Sequence, residues 1–214
     1  MNNGALSLQA EQATAAINKI NQGFSKLQNI MTYQFNLGFI NVLSLAWGSP
    51  LAQETVGKFC ESMNSFATSI YNQSENVVNS INSNAAAWMQ AEKASWTNVA
   101  FTGELVTISN EKMSDKLPDG SVGIIPDSAQ TALNQLPTLE SNLHEACALI
   151  NEGATTSGFS GQMGQTLAAT LSGINSKIGE SFAEITAAVK DAIQQEIQKA
   201  QEQATSTSSS FSGN

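Results

Sequence analysis

The chain holds one histidine, His144, and a cysteine one helical turn later, Cys147. An imidazole beside a thiol is the arrangement that activates a nucleophile, and the same two side chains at three-residue spacing can supply two metal ligands. Neither set is complete. A catalytic pair needs a third group to orient the base, a zinc site needs three or four ligands, and nothing nearby in the sequence provides them. Glu180 and Glu184 stand four residues apart, the spacing of a solvated helical face more than of an acid/base pair. There is no Gly-rich phosphate loop, no His-Glu-x-x-His and no calcium-loop pattern. The expectation is a non-enzymatic protein with no catalytic residue, no bound metal and no cofactor.

Composition narrows the partners. Only 13% of the 214 residues are charged, and all nine basic residues are lysines. The net charge of -9 is uneven, with residues 1–100 contributing -1 and residues 101–214 contributing -8. Phosphate recognition needs a basic, usually Arg-rich, face, so no nucleic-acid partner is expected. The most apolar stretch, around Leu37 to Ala52, is interrupted by Asn41, Ser44 and Pro50, so stable membrane insertion is not expected. The first residues, MNNGALSLQAEQ, show no basic region and no long apolar run, which predicts no cleaved signal peptide. Cys60 and Cys147 both fall on apolar stripes and read as small buried hydrophobes, with a bond between them left open.

The elements follow from periodicity. Ile17, Ile20, Phe24, Leu27 and Met31 recur in steps of three and four, the signature of one helical face, and the stripe drifts on to Tyr33, Leu37, Ile40 and Ser44. After a break at Gly48 and Pro50 it resumes at Val56, Phe59, Met63, Phe66, Ile70, Val77, Ile81 and Trp88, with a gap near Gln73 and Ser74. Two long arms joined by a short break predict an antiparallel helical hairpin. At the break, Ser49 suits the N-cap, Pro50 the first helical position, and Gly48 the turn, with Trp47 folding over the hairpin end.

The second half repeats the plan. Leu133, Leu136, Leu139, Leu143, Cys147 and Ile150 lead to the turn at 153–161, and Leu167, Leu171, Ile174, Ile178, Phe182, Ile185, Val189, Ile193 and Ile197 follow it. Pro137 should kink the third segment or mark its true start. The fold expected is all-α, two long antiparallel helical hairpins forming a four-helix bundle. Residues 1–98 form the first hairpin, 99–127 an irregular linker with room for a short β-hairpin turning at Asp119 and Gly120, 128–203 the second hairpin, and 204–214 a disordered tail. The pattern leaves open whether the hairpins pack on each other or on another chain. Trp88 and Trp96 either pack under the linker or present an aromatic patch.

A long helix, a turn carrying Trp47, Gly48 and Ser49, and a second long helix together resemble the WXG family of type VII (ESX) secretion substrates, with Ser49 where the family usually has Gly. The second turn looks similar, with Phe159 in place of Trp and Gly161 kept. The resemblance covers about four fifths of the chain. It implies export without a cleaved signal peptide, from a cytoplasmic pool, by a machine driven by a membrane ATPase. It further implies contacts with that ATPase or a larger effector, and pairing of helical hairpins as a homo- or hetero-dimer. Family members also carry Tyr-x-x-x-Asp/Glu beyond the second helix as an export signal. Tyr71 and Glu75 match those letters inside the second helix, where Tyr71 also reads as a flank of the Ile70 core position. Two other readings stand beside this one: a structural filament or surface module, and a membrane-active helical toxin component that inserts Leu37 to Leu45.

Overall fold

The computed structural model describes the backbone of residues 3–156 and 162–211, and the side chains of residues 9–156 and 182–206. The protein is all-α. The first arm is α1 (Asn3–Asn29), a π-helix (Ile30–Ile40) and α2 (Asn41–Ala46), and it leads into β1 (Trp47–Gly48). The second arm is α3 (Pro50–Ala91). A largely non-helical strap then reaches β2 (Gly123–Ile124), and α4 (Pro126–Leu133), α5 (Leu136–Thr155) and α6 (Gln162–Phe211) complete the chain. Helix α5 begins one residue before Pro137, so this proline marks a helix start, where its missing N–H costs nothing.

The chain divides into two compact units, and neither coincides with residues 1–98 or 128–203. One comprises Met1–Ile30, Phe66–Val106 and Ser141–Glu180; the other comprises Met31–Ser65, Thr107–Glu140 and Ser181–Asn214. Each takes a share of both halves and of the strap.

In the first unit α1 and α5 run antiparallel at very close range. A Cβ on Gly23 would lie 2.7 Å from the Ala146 carbonyl oxygen, and one on Gly153 would lie 2.6 Å from that of Ala16. Glycine is therefore required at both positions for contact, since two of the three nearest atoms at each are backbone and have no rotamer to escape into. Lys19 pairs with Glu152 and Lys26 with Glu145 along the rim of this contact. Being half-exposed, these pairs add little stability compared with the buried Ile17, Ile20, Leu143 and Ile150. Gly153→Ala is expected to cost about 1–3 kcal/mol by overpacking, read as a lowered urea midpoint.

Helix α3 ends in the same unit with a Schellman arrangement. The Ala94 N–H donates to the Met89 carbonyl at 2.8 Å, and the Lys93 N–H donates to that of Gln90 at 3.0 Å. Lys93 occupies the left-handed position, φ 56°, where glycine is the unstrained choice. Lys93→Gly should raise stability by about 0.5–1 kcal/mol, measured as an increased Tm.

The second unit holds the main departure from the expected stripe. Met31, Phe35, Phe39 and Leu43 are buried, whereas Tyr33 is 60% and Leu37 is 52% exposed. These four buried residues are spaced by four, and Ile40 and Ser44 of the expected stripe are buried beside them. On an α-helix that spacing drifts by about 40° per step, so the stripe would rotate out of the core within three steps. The wider turn of the π-helix takes up the drift and keeps Phe35 and Phe39 against Phe59, at ring-centroid distances of 5.7 and 5.5 Å.

Two further expectations are corrected. The Asp119–Gly120 turn forms, with Gly120 at φ 85° and the Ser121 N–H and hydroxyl both donating to Asp119 Oδ1. These donors hold the Asp119 carboxyl below the usual carboxylate range. No local β-hairpin results, because β2 pairs antiparallel with β1, placing Trp47 opposite Ile124 and Gly48 opposite Gly123. Helix α6 continues to Phe211 and so enters the segment expected to be disordered. The strong helix formers at 194–203 carry it forward, and the Thr205 hydroxyl donates back to the Gln201 carbonyl at 2.8 Å.

Candidate functional site

The site of interest is the turn between α2 and α3, within the second unit. Trp47 is extended, φ -141° and ψ 108°, which ends α2, and its side chain is completely buried. Ser49 caps α3: its Oγ accepts from the Ala52 N–H at 3.0 Å, a cap worth about 1 kcal/mol. Both of these roles were readable from the residue types.

The role of Gly48 is different from the one expected. The described glycines at positive φ are Gly120 and Gly123, so Gly48 does not supply an unusual turn conformation. It supplies space. A Cβ there would lie 2.1 Å from the Lys116 carbonyl carbon and 2.2 Å from the Leu117 nitrogen. The backbone of the strap crosses Gly48 in direct contact, and the Ile125 N–H then donates to the Ala46 carbonyl at 2.7 Å. Lys116, Leu117 and the 123–125 backbone are therefore part of the site, and periodicity carries no signal for them. Around the turn, Leu45, Leu51, Val122 and Ile125 remain exposed.

The chain matches no family model, no curated protein and no solved structure.

Phe159 and Gly161 lie outside the described residues, as does the side chain of Glu180. Tyr71 lies within α3 in the first unit, half-buried, in edge contact with Phe24 and Phe101 at centroid distances of 5.6 and 5.4 Å. Glu75 is one turn further along the same helix. Trp96 donates its indole N–H to Asn82 Oδ1 at 3.1 Å, and with Trp88 it lines a small recess closed by Gln9, Ala10, Ala85 and Met89.

His144 is exposed while Cys147, on the same helix, is buried. Among the described residues no group of three or more His, Cys, Asp or Glu side chains is placed to hold a metal ion. Both cysteines are free thiols. Burial pushes each up to about 12, so the thiolate required for nucleophilic or ligand chemistry does not form near neutral pH. The linkage has a definite sign. With the folded thiol values raised, their contribution to stability is complete below the ordinary value of 9.0 and falls as pH rises from there to about 12. Chemical denaturation of the wild type and of the Cys60→Ala/Cys147→Ala chain should therefore give a stability difference that is flat below pH 9 and shifts against the wild type above it.

Proposed function

We propose that this protein is a non-enzymatic component of a type VII (ESX-like) secretion pathway, a secreted substrate, partner or chaperone of a larger effector that acts through protein–protein contacts. The observation that carries the reading is the Trp47–Gly48–Ser49 turn. A fully buried indole, a glycine crossed by backbone and a capping serine join two long helical arms. These are physical reasons for a Trp-Gly-small residue turn between helices, the feature on which the resemblance to WXG proteins rests. The exposed Leu45, Leu51, Val122 and Ile125 beside the turn favour contact with another protein, since apolar side chains grouped at a surface tend to mark such contacts.

The test is intact-mass analysis of medium and cell pellet from the native host, with and without the secretion ATPase. Full-length protein in the medium that disappears with the ATPase supports the reading. Retention in the pellet under both conditions refutes it.

One observation favours a second reading, a membrane-active component. Leu37, Leu45 and Leu51 are exposed on the most apolar stretch of the chain, although no described helix is long and apolar enough to cross a membrane. Dye release from liposomes decides between contact with lipid and contact with protein.

A further inference from the structure

In the first unit two asparagines hold residues 99–102 of the strap by their backbone. Asn82 of α3 donates to the Val99 carbonyl at 2.8 Å and accepts from the Val99 N–H at 3.0 Å. Asn21 of α1 donates to the Ala100 carbonyl and accepts from the Thr102 N–H, both at 3.0 Å. In an extended chain the polar groups of successive residues point to opposite sides, so Val99 facing α3 while Ala100 and Thr102 face α1 is the pattern of a strand laid between two helices. Each asparagine amide gives the segment one N–H donor and one oxygen acceptor, as a neighbouring strand would.

Within residues 97–103, side-chain recognition is concentrated at one residue. Phe101 enters edge-on between Phe24 and Tyr71, at centroid distances of 5.2 and 5.4 Å. Two residues on, a Cβ on Gly103 would lie 2.4 Å from the segment's own Phe101 ring and 2.5 Å from the Phe24 ring, so a side chain there would push this ring pair out of place. The neighbouring Thr97, Asn98, Ala100 and Thr102 are exposed.

We propose that this face of α1 and α3 is a recognition groove for an extended polypeptide segment bearing an aromatic residue followed at two positions by glycine, and that residues 97–103 are its resident occupant. Backbone clamps with one aromatic pocket constitute a mode of peptide binding in which main-chain bonds supply affinity and the pocket supplies selectivity. The resident segment is tethered at both ends, so a competing segment faces an effective concentration on the order of millimolar. The contact is thus autoinhibitory, and it stands apart from the question of export.

The experiment uses the full chain and a fluorescent peptide spanning residues 97–106, read by anisotropy. Phe101→Ala empties the pocket in cis, and this chain should bind the wild-type peptide at least about tenfold more tightly than the wild-type chain does. A peptide carrying the same Phe101→Ala change should bind it at least about tenfold more weakly than the wild-type peptide. A second variant replaces residues 97–103 with seven Gly and Ser residues and should behave as Phe101→Ala does. A variant that keeps its helical circular dichroism yet gains no affinity overturns the proposal, as does equal binding of the two peptides. Loss of helicity in both variants also overturns it, since the segment would then be indispensable to the fold rather than exchangeable.

Discussion

Replacing Trp47 with alanine should lower the unfolding free energy by about 3–5 kcal/mol, whereas Trp47→Phe should cost far less. The indole is fully buried, so truncation to a methyl group removes its transfer energy and leaves a cavity that a close-packed interior fills only in part. Phenylalanine keeps most of the ring. It also removes the indole N–H, which is buried without a hydrogen-bond partner, and an unsatisfied buried donor costs about 1–3 kcal/mol. The gain from losing that donor offsets part of the lost volume. Urea melts of the three chains test this. Equal losses for alanine and phenylalanine would show that the N–H matters in the folded protein and that the burial account is wrong.

Gly48→Ala should be severely destabilising, by about 3 kcal/mol or more, although it adds only one methyl group. Overpacking ordinarily costs about 1–3 kcal/mol, the range expected at Gly153, where the added carbon would come no nearer than 2.6 Å. Here the added carbon meets the Lys116 and Leu117 backbone near 2 Å, so the strap itself has to move. Moving it disrupts the pairing of Gly48 with Gly123 and the Ile125 to Ala46 hydrogen bond. The expected signature is a large fall in urea midpoint with faster hydrogen exchange at Ile125, while Gly57→Ala, whose added carbon meets only the Asn110 side-chain amide at 3.0 Å, is much milder. A Gly48→Ala chain as stable as the wild type would refute the close crossing.

Some of this architecture is local and therefore legible in the sequence. Ile17 to Met31, Val56 to Ile70 and Leu133 to Ile150 each satisfy the helical period on their own, and the structure buries most of those positions. Ser49 and Pro137 act through neighbours three residues away or fewer, so their residue types suffice. The exposure of Tyr33 and Leu37 has a local cause of another kind: the helical period changes where the backbone widens into the π-helix. The gap at Ser74 is a real interruption, a fully buried serine whose hydroxyl has no partner.

Long-range partners are a different matter. Asn21, Asn64 and Asn82 resemble ordinary solvated helix residues until the strap is placed beside them, and Asn64 in the second unit clamps Ile108 through both its N–H and its carbonyl. Likewise, nothing next to Gly48 in sequence reveals the backbone that crosses it. The turn was recognisable from its letters, but the reason for its glycine came from residues some seventy positions away.

That separation bears on how the chain is made. The polar backbone of Trp47 and Gly48 finds its strand partners only when Gly123 and Ile124 have been added. At roughly 5–20 residues per second, synthesis leaves the turn without them for about 4–15 s, far longer than helices need to form. A nascent chain therefore passes through a stage with both first-half arms present and their closing strand still unmade, during which an unpaired edge beside a large aromatic ring is open to capture by chaperones, or by another unfinished copy on the same messenger.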